Sequence, residues 1–206
     1  MGKLGGTRDL GGVGLGYSRR LLGGHDEPEF SVLFVCTGNI CRSPMAEAIA
    51  WRELARYPDA VLRFSSAGSH ALEGNPATSR AVAAAATLGA DLEWHRAREL
   101  TRRRVQDADL VLCMAQEHLA YAAAYDRSAA DRTFLLAAWS RALAQVDRMA
   151  ASPEELLAMA AKEVAEQPGD EIDDPIGLTD EAYARCAQRL EELVPGVVRG
   201  LARVTS

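Results

Sequence analysis

The stretch FSVLFVCTGNICRSP, residues 30–44, passes from an apolar run into a tight loop and then into a proline-bearing segment. Phe30 to Val35 is almost continuously apolar or β-branched, as a strand buried on both faces of a parallel sheet must be. Ser43-Pro44 predicts an N-cap followed by proline at the first helical position, opening a helix over Met45 to Arg56. A strand, a loop containing Gly38 and a helix start together make a cradle for an anion. Successive backbone N–H groups point inward, and the helix adds its positive end. Arg42 adds a planar fork of donors that matches two phosphate oxygens. A cysteine at the base of that cradle, Cys36, lies in a positive field that favours the thiolate, the form that attacks phosphorus.

Outward from this stretch, strands and helices alternate. Val61 to Ser66 is a second predicted strand, and Pro76 to Leu88 an alanine-rich helix ended by Gly89. Asp109 to Cys113 is a third strand, followed by a helix over Gln116 to Tyr125. Thr133 to Leu136 is a short strand, after which Leu136, Trp139, Leu143 and Val146 keep one helical face. Ser152-Pro153-Glu154-Glu155 is a capping-box start. The acidic stretch 166–175 reads as a loop. Thr179 caps a last helix whose apolar stripe is Tyr183, Cys186, Ala187, Leu190, Leu193 and Val194. The expected fold is a three-layer α/β/α domain with a central, mostly parallel four-stranded sheet and the phosphate-binding loop after the first strand. There is no internal repeat. Residues 1–29, glycine-rich and aperiodic, are expected to form a flexible extension. Residues 30–206 are read as one domain with a helical insertion around 137–167.

The 206 residues suit a single domain with a sizeable core, and 48% of them are hydrophobic. A net charge of -6 argues against nucleic acid or an anionic membrane as a bulk partner. No apolar run approaches the ~20 residues of a membrane span. The pair Arg19-Arg20 is followed by LLGGHDEP, where an export signal needs an apolar stretch, so a cytoplasmic protein is expected. Four irregularly spaced cysteines do not make a disulfide framework. Arg96, Arg98, Arg102, Arg103 and Arg104 read as a solvated face.

Cys36-Thr-Gly-Asn-Ile-Cys-Arg-Ser43 resembles the Cys-x5-Arg-Ser signature of the low-molecular-weight protein tyrosine phosphatases. The resemblance continues through FSSAG (64–68), HRARELT (95–101), DADLVLCM (107–114) and DDPIG (173–177). It implies a hydrolase acting through a phosphocysteine intermediate. Cys36 would be the nucleophile, Arg42 the phosphoryl-binding residue and Asp174 the general acid, with Asp173 the next candidate. The loop residues Thr37, Gly38, Asn39, Ile40, Cys41, Arg42 and Ser43 would bind the phosphoryl group. Asn39, Ser43, Ser66 and His95 would support the loop, Asn39 tolerating φ > 0. Cys41 would capture oxidised Cys36 as a reversible disulfide. No metal or other cofactor is implied. The partner would be a phosphorylated protein or a small phosphomonoester. Ile176 and the segment Ser69-His-Ala-Leu-Glu73 stand where the family often carries aromatic walls, so phosphotyrosine and sugar or small-metabolite phosphates both stay open. Arsenate reduction on the same fold is the other alternative. It needs further cysteines after the third strand, where Cys113 stands alone, and Cys186 is far along the chain.

Overall fold

The computed structural model describes residues 30–146 and 150–206, so the expectation for residues 1–29 lies outside the described residues. Four parallel strands form the central sheet: β1 (Phe30–Cys36), β2 (Leu62–Gly68), β3 (Leu110–Cys113) and β4 (Thr133–Leu135), in the spatial order β2-β1-β3-β4. β1 is central and buried along its whole length, which explains its unbroken apolar character. Its side chains alternate between the two faces. Val32, Phe34 and Cys36 join one core cluster, and Leu33 and Val35 join the other.

The larger cluster is covered by helices α1 (Arg42–Leu54), α2 (Ser79–Thr87), α5 (Leu136–Val146), α6 (Pro153–Glu163) and α7 (Asp180–Ala202). The smaller lies under α3 (Arg102–Gln106) and α4 (Gln116–Tyr125), with Leu100, Val105 and Ala122 among its members. The sheet is therefore all-parallel and covered on both faces. Stretch 137–167 contains α5 and α6. Leu136, Trp139, Leu143 and Val146 of α5 are all buried in the main core, as their spacing predicted.

Several boundaries move for physical reasons. β2 runs on to Gly68 because its last residues pair with the end of β1, Cys36 lying opposite Gly68. α1 begins at Arg42, with Cys41 at the N-cap position and no side-chain cap. Ser43 is therefore not the cap. It lies inside the first turn, where its hydroxyl faces the loop, and Pro44 is tolerated there because that turn's N–H groups have no helical partner. Thr78 caps α2, its Oγ1 accepting from the N–H of Ala81 at 3.2 Å, so that helix starts three residues later than Pro76. Ser152 caps α6 as expected, accepting from Glu155 N at 3.2 Å, while the Glu155 carboxylate reaches the Ala151 N–H at 2.8 Å. Thr179 occupies the N-cap position of α7 without a side-chain bond. The acidic stretch 166–175 is irregular, as expected, and crosses the carboxyl end of the sheet: Ile172 N donates to Met114 O, just after β3, at 2.8 Å.

Candidate active site

The loop between β1 and α1 turns its carbonyls outward. Cys36 O, Thr37 O and Gly38 O accept from the N–H groups of Ser69, His70 and Leu72, and Ile40 O from Thr78, at 2.9–3.2 Å. Asn39 O is bonded to His95 Nε2 at 2.8 Å, so that nitrogen carries the proton. Burial lowers the pKa of His95 from its ordinary value and keeps it neutral at pH 7. With these carbonyls committed, the N–H groups of the loop are the backbone groups left for a ligand in the cavity over it.

Asn39 is the only non-glycine residue with positive φ among the described residues, at 52°. It is fully buried, and every polar atom of its side chain is used. Nδ2 donates to Ser43 Oγ and Ser66 Oγ, both at 2.9 Å, and Oδ1 accepts from Arg98 N at 2.8 Å. Ser66 Oγ donates to Glu47 Oε2 at 2.6 Å, and Glu47 is paired with Arg98 Nη2 at 3.0 Å. The structure thus gathers Asn39, Ser43, Ser66 and His95 into one scaffold. It adds Glu47 and corrects the reading of Arg98, which is not a solvated charge but the counter-ion of Glu47. Arg104 is also partly withdrawn, donating to Glu99 O at 3.1 Å, whereas Arg96, Arg102 and Arg103 are exposed.

Gly68 shows how closely β2 approaches this loop. A Cβ there would lie 2.4 Å from Thr37 O and 3.0 Å from Asn39 N, both backbone atoms, so only glycine fits without moving the loop.

A cavity of about 230 Å³ opens over the loop, lined by Cys36, Arg42 and Asp174 with His70, Leu72 and Ile176 at its sides. A larger surface hollow between α5 and α7 contains none of these residues. Cys36 is buried, and its Sγ is 2.9 Å from Ser43 Oγ. Asn39 donates to that hydroxyl, whose own proton can go to the sulfur at 2.9 Å or to the more distant Ala67 O at 3.4 Å. The guanidinium of Arg42, 4% exposed, donates from Nη1 to Ile172 O at 3.3 Å and from Nη2 to Thr37 Oγ1 at 3.1 Å. Nη2 also pairs with Asp174 Oδ2. Asp174 Oδ1 accepts from Ile176 N at 3.1 Å, an Asx turn that fixes the carboxylate over the cavity. Asp173 is exposed and does not line the cavity.

The acid-bearing loop is anchored by a buried carboxylate. Asp170, 3% exposed, receives both Arg141 Nη1 and Nη2, at 2.5 and 2.9 Å, and the Gln167 N–H at 2.7 Å. The Arg141 hydrogen bonds hold the Asp170 carboxyl below the usual carboxylate range.

Two residues beside the site, His118 and Tyr121, escaped the sequence reading, whereas Ile176 and the segment holding His70 and Leu72 form cavity walls where that reading looked for them. His70 forms one wall, held by Ser69 Oγ and Tyr121 OH at 3.2 Å each, with the Tyr121 ring edge-on at 4.8 Å. Leu72 and Ile176 are exposed apolar side chains at the mouth. His118 lies buried behind Thr37, at 3.1 Å from its hydroxyl. The helix carrying Tyr121 and His118 was legible, but its approach to the loop is a long-range contact with no local signal.

All four cysteines are free thiols. Cys41 is buried, with Thr78 Oγ1 and Tyr183 OH at 3.5 Å, and burial pushes its pKa up. Burial likewise raises Cys186, to about 12, and Cys113 further. Cys113 belongs to the smaller core cluster and Cys36 to the larger, so the sheet lies between them. No described helix is long and apolar enough to cross a membrane.

The model of the low molecular weight phosphotyrosine protein phosphatase family matches residues 31–164. That match ends short of Asp174, whose position over the cavity comes from the structure. The chain is 38% identical over 109 residues to the low molecular weight protein-tyrosine-phosphatase Etp of Escherichia coli K12, covering 53% of this chain and 70% of the relative. It is 44% identical over 90 residues to Wzb of the same organism, covering 43% and 57%. Among solved structures it is similar to a low molecular weight protein tyrosine phosphatase from T. tengcongensis, at 31% identity and a TM-score of 0.65 over 83% of this chain and 99% of that one. The YwlE arginine phosphatase of Geobacillus stearothermophilus is also similar, at 27% identity and a TM-score of 0.65, over 82% and 91%.

Proposed function

The chain belongs to the low molecular weight phosphotyrosine protein phosphatase family, and from that membership we propose how its site performs cysteine-dependent phosphate-ester hydrolysis. The observation that carries the assignment is Cys36 Sγ, with Ser43 Oγ at 2.9 Å, at the base of a cavity also lined by Arg42 and Asp174. The ester's phosphoryl group enters the loop, its oxygens taking the free N–H groups and the Arg42 fork. The dianion displaces Asp174 from Arg42, and the freed carboxylate takes up a proton from solvent. Cys36 Sγ forms a bond to phosphorus as the bond to the leaving oxygen breaks, and Asp174 gives that oxygen its proton. A water then transfers a proton to Asp174 as its oxygen attacks phosphorus, the S–P bond breaks, and inorganic phosphate leaves. Thr37, Gly38, Asn39, Ile40, Cys41 and Ser43 contribute the loop that holds the equatorial oxygens, and Ser43 donates to the sulfur.

The proposed substrate is a phosphotyrosine protein. Leu72 and Ile176 offer apolar surface to a phenyl ring, and among the described residues no carboxylate other than Asp174 lines the cavity. The test is metal-free hydrolysis of an aryl phosphate, a phosphotyrosine peptide, a phosphoarginine peptide and a sugar phosphate by wild type, Cys36→Ser and Asp174→Asn. Activity should vanish in Cys36→Ser and recover in Asp174→Asn on esters with better leaving groups. A preference for phosphoarginine or sugar phosphate would overturn the substrate, and a phosphatase-inactive wild type that reduces arsenate would overturn the reaction. We further propose a cytoplasmic protein in which Cys41 captures oxidised Cys36 as a disulfide. Peroxide inactivation that thiols cannot reverse would contradict that capture.

A further inference from the structure

The Thr37 hydroxyl is a junction of three groups. Arg42 Nη2 lies 3.1 Å from Oγ1, His118 Nε2 3.1 Å, and Glu117 Oε1 3.2 Å. A hydroxyl has one proton and two lone pairs, and a guanidinium only donates. One lone pair is therefore taken by Arg42. The Glu117 carboxylate only accepts, so the hydroxyl proton goes to Glu117. The remaining lone pair requires a donor, and His118 Nε2 is the atom there.

The opposite tautomer fails on two counts. His118 Nε2 also lies 3.3 Å from Glu117 Oε1, so an unprotonated Nε2 would set its lone pair against a carboxylate oxygen. Its proton would then be on Nδ1, which is buried and has no partner among the described residues. The ring has no solvent exposure, and α4 holds it directly behind the loop. Burial and the neighbouring Arg42 charge depress the imidazole pKa to about 4, which keeps it neutral.

We infer that His118 is a positioning residue for Arg42: its Nε2–H, together with Glu117, orients the Thr37 hydroxyl so that a fixed lone pair faces the guanidinium. When substrate displaces Asp174, Thr37 Oγ1 and Ile172 O remain as the two acceptors that hold the arginine fork in plane with the phosphoryl oxygens. The inference rests on the reading of Arg42 as the phosphoryl-binding residue.

The experiment uses the full chain. Histidine ring ¹⁵N NMR reads the His118 tautomer with and without inorganic phosphate, and competition against an aryl phosphate reads phosphate affinity. His118 is expected as the neutral Nε2–H tautomer in both states. His118→Leu and Thr37→Val should each weaken inorganic phosphate roughly tenfold, and the double variant no more than either single, because both remove one strut. His118→Gln, whose amide donates from a similar place, should stay within about threefold of wild type. An Nδ1–H tautomer, an imidazolium at neutral pH, or losses that multiply in the double variant would overturn the inference. So would a folded His118→Leu that binds phosphate as wild type does. If His118→Leu does not fold, Thr37→Val decides: unchanged phosphate affinity and an unchanged His118 Nε2–H signal would refute the strut. A wild type that binds phosphate but hydrolyses no ester would refute the proposed function while leaving this test intact.

Discussion

Replacing Asn39 with alanine removes two kinds of support at once, and their sizes follow from the geometry. The side chain makes three hydrogen bonds, two buried ones to Ser43 and Ser66 and a partly buried one from the Arg98 N–H. A net value near 1 kcal/mol each gives about 3 kcal/mol, before counting any penalty for leaving the Arg98 N–H without its acceptor. Alanine at φ 52° meets the steric cost of left-handed backbone, about 1 kcal/mol, which asparagine partly escapes by local hydrogen bonding. The expected total is about 4 kcal/mol, a large part of the ~5–15 kcal/mol by which domains are stable. It should lower Tm by roughly 10 °C. Asn39→Gly should recover about 1 kcal/mol of it, because glycine accepts the backbone but restores no bond. Urea unfolding of the three proteins measures this, with phosphate affinity followed alongside. A loss below about 1 kcal/mol in Asn39→Ala would refute the load assigned to these bonds. A glycine variant less stable than the alanine one would refute the backbone argument.

Gly68→Ala should displace the loop, since the new Cβ meets Thr37 O at 2.4 Å. Activity on an aryl phosphate should fall about 100-fold, as expected for a shift of the catalytic frame by about an ångström, with secondary structure by circular dichroism unchanged. His118 titrates near 4 in the folded chain, against about 6.5 when unfolded, so its contribution is complete above 6.5 and is lost as pH falls toward 4. That loss should approach 3 kcal/mol by order of magnitude, and urea midpoints across this range should show it in wild type and not in His118→Gln. The Asp170 carboxyl is held low by Arg141, so its stabilisation is present above its unfolded pKa and is lost as pH falls below about 4. Asp170→Asn should be less stable at neutral pH and flatter below pH 4 than wild type, read by the same measurement.

The compactness of the loop made its chemistry readable along the chain: Cys36, Arg42 and the strand behind them are local, and their order fixes the cradle. α4 was legible to its ends, Gln116 and Tyr125. Asp174 was readable as an acid beside a proline, but only the folded loop separates it from Asp173. Ser43 misled because a serine before proline has the local form of a cap, while the loop needs its hydroxyl at Cys36. Arg98 misled because four further arginines surround it in sequence, and its partner Glu47 is on α1. The last helix was read to Val194, ahead of Pro195-Gly196, yet it continues to Ala202. Val197, Val198 and Leu201 carry the buried stripe past the proline, and that packing outweighs the local cost of a missing N–H and a glycine. Tyr121 and His118 share α4 and reach His70 and Thr37 from far along the chain, so no spacing in the sequence announces those contacts.

The most direct test of the account is rapid quenching of Asp174→Asn during turnover of an aryl phosphate, followed by mass spectrometry of the peptide containing Cys36. The account predicts one phosphoryl group on Cys36, absent from Cys36→Ser, with the bound group released more slowly than in wild type. A phosphoryl group on another residue, or undiminished turnover by Cys36→Ser, would contradict it.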